Sequence, residues 1–375
     1  MGENNMKLEM DRRNFLKTAG GVTLAMSASL LTGCGGSDGG ATAPGGSNNS
    51  GAGNGGGTSG NGSGEEKPGG GSDTGNGEQT SDQVIWEIHD YGDGTAYLLG
   101  YDKSGKTPSG DITIPNADKD GNIVIRISDF ALTGYEGTDT PIPAVTSVTI
   151  PDSVKEIAQY AFAAAESLKA VSMKGCVTLG DSVFYKCPQL ESVELPGTLQ
   201  KVGSRVFAEC TKLKNITLPK SLTSVGFNAF YNTGIESIVI PGTFEMEGQV
   251  FAGCTKLKKV VIEPGVTRLM DFANCTALEE VTLMDTTGKG LQIRKQCFYN
   301  CTSLRKIYLP KSVSVERNAF VCDDNGGILP NLTDIYYGGS EAEWKQCVSY
   351  FGDGNQCLTQ ENVTVHYNAK ASELI

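Results

Sequence analysis

Histidine is almost missing from this chain: 375 residues contain two, His89 and His366, 277 positions apart. A zinc site built on histidine, or a histidine base activating a serine or cysteine, has too little material. The cysteines do not replace it, because no Cys-x-x-Cys pair occurs and the close pair Cys297 and Cys301 is four apart. Positive charge is also short, with a net charge of −12. That balance argues against nucleic acid and against anionic headgroups as main partners. Long apolar runs are lacking too. The most apolar stretch, Ala19–Leu31, is too short to span a bilayer. Two loops with spaced acidic residues, Asp118–Asn122 and Asp323–Gly326, lack the distal glutamate of a calcium loop and read as turns. No cofactor, no metal and no catalytic constellation are expected.

What is present begins with an export signal over residues 1–33. Asp11-Arg-Arg-Asn-Phe-Leu-Lys17 precedes the apolar run and resembles a twin-arginine signal, with Asp11 where that pattern has Ser or Thr. The general secretory route therefore stays open. The initiating methionine is Met1, Met6 or Met10. Leu31-Thr-Gly-Cys34 resembles a bacterial lipobox, which makes Cys34 the expected lipid-attachment site and anchors the chain to a membrane.

Residues 35–83 follow as a linker in which 19 of 49 positions are glycine and three alanines are the candidate apolar groups. Such a composition cannot bury enough surface to offset chain entropy. As a flexible coil it spans about 35–42 Å, and about 160–175 Å when stretched. Its expected role is reach.

Beyond it the chain repeats. Phe130, Phe162, Phe184, Phe207, Phe230, Phe251, Phe272, Phe298 and Phe320 recur at spacings of 21 to 32 residues. After each comes a Leu-x-x-Val-x-Ile core, often closed by proline, as in Leu190–Pro196, Leu213–Pro219 and Leu304–Pro310. Val-x-Ile alternation gives a short strand with one buried face, and proline ends its ladder. One coil buries too little to fold alone, so the coils must stack.

The unit Pro-x-Ser/Thr-Val/Leu-x-x-Ile/Val-Gly-x-x-Ala/Val-Phe-x-x-Cys-x-x-Leu-x-x-Val-x-Ile resembles the BspA-like leucine-rich repeat of bacterial surface proteins. The resemblance implies a solenoid, with a hairpin cap over 84–110, repeats over 111–337 and a closing cap over 338–375. It also implies a surface protein used in attachment to proteins or other cells. The stretches Phe244–Phe251 and Val266–Phe272 are short, Met284–Gly290 is long, and Thr133–Pro143 is an insertion.

Cys187, Cys210, Cys254, Cys275 and Cys301 stand three positions after an anchor phenylalanine. Equivalent positions in adjacent coils run parallel, about 4.8 Å apart. Disulfides want converging vectors, so these residues read as buried free thiols. Cys347 and Cys357 lie outside that ladder. They are expected either to form a disulfide across the turn at 352–355 or to stay free.

In each strand the residues flanking the central Val point away from the core. The early pairs, such as Ser192/Glu194, are small or polar. The later ones carry Val239, Lys259, Val261, Lys306, Tyr308 and Tyr336. These six are the candidate ligand-binding face, since interfaces favour exposed aromatics; β-propensity alone also explains Val and Tyr. The expected function is a monomeric, surface-anchored, outward-facing binding or adhesion module for an extracellular protein or glycan. A structural envelope lipoprotein holding polysaccharide or an envelope partner is the alternative.

Overall fold

A computed structural model describes residues 84–375 except 103, 134–143, 286–289, 324–326, 328, 352 and 375. The expected signal, Cys34, the linker, most of the first-repeat insertion and part of the longer segment after Leu283 lie outside the described residues.

The phenylalanines set the geometry. Rings from Phe162 to Phe320 form one column, each on the next at 4.9–5.8 Å and within 22° of parallel. The backbone holds the same step. Phe184 N–H donates to Val206 O at 2.9 Å and Phe207 N–H to Ala229 O at 2.8 Å, one coil further on. A corner this tight needs left-handed backbone on both sides of the ring. Ser182 and Lys186 flank Phe184 at φ 57°, and Asn228 and Asn232 flank Phe230 at 58° and 53°. Asparagine recurs there because its short side chain tolerates that region.

Each coil carries two strands, so the stack has two columns of parallel pairing. The Val-x-Ile strands form one. Ser109–Thr113, Ala144–Ile150, Ala170–Met173 and Ser192–Glu194 make a four-stranded sheet, and Ser237–Ile240 opens a six-stranded one. Two-residue strands such as Thr178–Leu179, Lys201–Val202 and Ser224–Val225 form the other column. There Gly180, Gly203 and Gly226 let successive coils touch. A Cβ on Gly203 would lie 2.7 Å from the carbonyl carbon of Gly180, closer than packed atoms allow.

Both columns break, and each break falls at a shortened coil. The strand expected in Leu213–Leu218 does not form, although its sequence is among the most regular; this part of the reading is corrected. Ile238 follows Phe230 by eight residues, whereas Ile216 follows Phe207 by nine. Ser237–Ile240 pairs forward with Lys259–Ile262, while on its other side, among the described residues, only the in-register bond from Glu236 N–H to Lys214 O, 3.1 Å, remains. In the second column the eight-stranded sheet stops at Glu245–Met246 and a three-stranded one starts at Arg268–Leu269. Phe272 follows Leu269 by three residues, against five between Val202 and Phe207. Asp271 fills that gap. Its carboxylate accepts from Val250 N–H at 3.2 Å and Met270 N–H at 3.0 Å.

At the start, Trp86–Asp90 and Thr95–Tyr101 form an antiparallel hairpin whose second strand pairs in parallel with Ile123–Ile127. At the other end the ladder continues beyond Tyr337, because Thr364–Tyr367 adds a sixth parallel strand. Between them lies the helix Glu341–Val348, capped by Ser340 and Glu343, with Trp344 buried against Tyr337.

Candidate binding face

Parallel register turns the outward residues into one column. Val239, Val261, Thr282, Tyr308, Tyr336 and His366 follow one another across five successive strand pairs. The six residues singled out in the sequence do fall on this face, but the surface they make differs from the expectation.

At the Val239 end the face is open. Val239 is 51% exposed. It stands over the missing strand, where Asn215 and Thr217 are also exposed. An open trough of about 550 Å3 occupies this interruption, walled by Thr217, Val239, Pro241, Lys259, Val261 and Glu263. Lys220 and Glu263 face each other at 3.6 Å on its rim.

At the tyrosine end the face is covered. Tyr308 was expected to be exposed and is 6% exposed; Val261 is buried as well, and Tyr336 is half-buried. The cover is the segment 369–374, sixty residues further along the chain. Ala369 N–H donates to Tyr337 O at 3.0 Å, Ala369 and Leu374 pack on Tyr308, and Lys259 Nζ donates to Leu374 O at 3.2 Å. Lys259 also pairs with Glu280 at 3.5 Å. Tyr336 is covered further by His366, whose ring stacks on it at 4.5 Å. His366 in turn meets Asp334 at 2.8 Å, and that hydrogen bond holds the Asp334 carboxyl below the usual carboxylate range. Burial pushes the Tyr308 hydroxyl up. Lys306 is half-buried.

Between the two anchoring contacts of this segment lies Thr282. Its side chain is fully buried and its hydroxyl has no hydrogen-bond partner. A buried unpaired hydroxyl costs about 1–3 kcal/mol.

The ladder cysteines are packing groups. Sγ of Cys187, Cys210, Cys254, Cys275 and Cys301 lies 3.1–3.2 Å from the carbonyl oxygen of the phenylalanine one coil back. Burial pushes the Cys254 thiol up to about 11 and the Cys301 thiol to about 12, which keeps them protonated and unreactive. Cys347 and Cys357 are free, and no bridge joins them. Cys357 had been placed outside the ladder; it continues it, with Sγ 3.6 Å from Phe320 O. Cys347 is directed instead toward Val313 O at 3.4 Å. The two thiols therefore serve different coils, which is the physical reason they do not pair. Asn355 closes the column beside Cys357, its side-chain oxygen accepting from Ala319 and Phe320 N–H. Among the described residues no group of three His, Cys, Asp or Glu is arranged to hold a metal ion.

The family model for the BspA type leucine rich repeat region matches residues 142–258, 177–289 and 245–331. Among solved structures the chain is similar to a leucine-rich-repeat protein of T. pallidum, at 24% identity over 52% of this chain and 78% of that one, with a TM-score of 0.40. It is also similar to a leucine-rich cell surface protein of Faecalibacterium prausnitzii, at 19% identity over 71% and 97%, with a TM-score of 0.32. A leucine-rich-repeat protein of Bacteroides ovatus is similar at 20% identity over 76% and 98%, with a TM-score of 0.31. A search of curated proteins finds no match.

Proposed function

The chain belongs to the BspA-type leucine-rich-repeat proteins, and on that premise we propose that it is a non-catalytic binding module. Its ligand, a protein or glycan outside the cell, sits on the outward strand face with its centre at the Val239 trough. The observation that carries this reading is an apolar side chain, half exposed, at the one interruption of the Val-x-Ile ladder among the described residues. Isolated exposed valines are ordinary. This one stands in a concave site with a charged rim, and concavity plus a few polar groups is the usual form of a binding site. The rigid stack fixes that shape before a ligand arrives, which limits the ordering cost of binding.

The experiment is a binding panel of immobilised matrix proteins, cell-surface proteins and purified glycans, probed with the full chain. Val239→Asp is expected to weaken the positive interaction at least tenfold while leaving thermal unfolding unchanged, since the side chain is outside the core. Undiminished binding by that variant would place the site elsewhere.

The reading extends to how the module is held. The lipobox Leu31–Cys34 and the glycine-rich stretch 35–83 support a lipid-anchored protein facing outward on a tether. Metabolic labelling with a radioactive fatty acid is expected to mark the wild-type chain and not Cys34→Ala. Equal labelling of both would remove the anchor.

A further inference from the structure

We infer that the coil 235–251 is the leaf of a hinge, that the trough is the mouth of that hinge, and that the ion pair between Lys220 and Glu263 is its clasp. This rests on the binding reading above and names how access to that same site is regulated.

The strand pairing divides this coil between its neighbours. By its Val-x-Ile strand, Ser237–Ile240, it belongs to the coils that follow, with four residues in register with Lys259–Ile262. By its second strand, Glu245–Met246, it belongs to the coils that precede, pairing with Ser224–Val225. Toward the preceding coil the Val-x-Ile side is joined, among the described residues, by Glu236 N–H to Lys214 O alone. The other two sides are closed, by Glu247 N–H to Val225 O at 3.1 Å and Phe230 N–H to Val250 O at 2.9 Å. An interface bonded along two sides and open along the third turns about the bonded ones. That turn moves Thr217 away from Val239, and these are opposite walls of the trough. The interface with the following coil is built the other way. Its Val-x-Ile side is tight, since a Cβ on Gly242 would lie 1.8 Å from Pro264 O, and its second strands lie in different sheets. The leaf therefore moves with the coils after it.

The ion pair is placed to hold the mouth shut. Among the described residues the other ion pairs between repeats join neighbouring coils, as Lys214 with Glu236 and Arg305 with Glu279 do. Lys220 and Glu263 meet at 3.6 Å from the two sides of the leaf, with one whole coil between them. Gly242 permits this reach. It follows Pro241 as Lys220 follows Pro219, and it puts no side chain between the partners. The Lys220 side chain is 77% exposed, so the pair is weak and is screened by salt. A weak clasp over an unpaired side closes the mouth at rest and yields to a ligand.

The test is native-state amide hydrogen exchange on the full chain, read at equivalent positions. Glu236 N–H crosses the mouth. Lys258 N–H to Glu236 O at 2.8 Å and Glu279 N–H to Lys258 O at 2.9 Å make the same bond at the next two interfaces. Glu236 is expected to have a protection factor at least tenfold below theirs. Lys220→Met and Glu263→Gln should each lower it by a further factor of about two to five, the worth of an exposed ion pair. High salt should do the same to wild type and nothing more to the variants. Glu247 and Phe230 should stay protected throughout, because a hinge keeps its bonded sides closed. Equal protection at Glu236, Lys258 and Glu279, or no response to either variant, overturns the hinge. Loss of protection at Glu247 and Phe230 together with Glu236 also overturns it, since the whole coil then unfolds. The two readings fail separately. Panel ligands that bind through Val239 in a chain whose Glu236 ignores the clasp would leave the site and remove its gate. A responsive Glu236 with an empty panel would do the reverse.

Discussion

Phe207→Ala is expected to lower the unfolding free energy by about 3–5 kcal/mol, the range for removing a large aromatic from a packed core. Phe207 has no exposed surface, and its ring lies 5.5 Å from Phe184 and 5.3 Å from Phe230, both within 14° of parallel. The hole cannot close by local collapse. The ring positions are fixed by the coil step, and that step is fixed by backbone bonds such as Phe207 N–H to Ala229 O. In a stack where each coil touches only its neighbours, one void weakens two interfaces at once. Phe207→Leu, which keeps most of the volume, should cost less than half as much. Trp86 and Trp344 stand at opposite ends of the described chain, so fluorescence-monitored urea unfolding reports on both. A loss below about 1 kcal/mol for the alanine variant would mean that the column is not what holds the coils together.

That column was readable in the sequence because it depends on a local rule repeated many times. Six of the nine phenylalanines stand nine residues before the central residue of their own Val-x-Ile, and these copies support one another. The five ladder cysteines follow the same rule. What was not readable depends on residues that no period links. The strand at Leu213–Leu218 has a regular sequence and still does not form; the coil after it is one residue short between Phe230 and Ile238. Tyr308 faces outward as alternation requires, yet outward is not exposed when Ala369 and Leu374 return to cover it. Ala369, Ala371 and Leu374, spaced among polar residues, were the available signal. Cys357 departs from the Phe-plus-three spacing because no anchor phenylalanine stands before it, so nothing local tied it to Phe320. Asp271 was the plainest missed signal. It occupies the position before Phe272 that other coils fill with Val206, Ala229 or Ala319, a buried slot that should have raised a question about charge.

Asp271 should make the solenoid less stable as pH rises through the weakly acidic range. Its side chain has no exposed surface, and burial pushes its pKa up from 3.8 to about 6, against the opposing bonds from Met270 and Val250 N–H. The folded chain then holds this proton more tightly than the unfolded chain does. Between the two pKa values the native state carries the excess proton, so unfolding becomes easier with each increment of pH. The group's contribution is complete below about pH 3.8 and is lost as pH passes about 6. At 1.36 kcal/mol per unit the total is about 3 kcal/mol, roughly half of it lost above pH 5. Asparagine removes the titrating proton but accepts at one oxygen only, so it loses one of the two bonds from Val250 and Met270 N–H at every pH. Asp271→Asn is therefore expected to start below wild type near pH 4 and to gain about 3 kcal/mol on it by pH 7.5. Other carboxylates titrate alike in both chains, so the difference between their urea midpoints isolates this one. A difference that stays constant from pH 4 to pH 7.5 would show that the shortened coil does not hold its carboxyl neutral. A growing one would show that the coil carries an ionised group in its core near neutral pH. The second column of strands breaks at that coil, between Met246 and Arg268, and with a growing difference it becomes the expected weak joint of the stack.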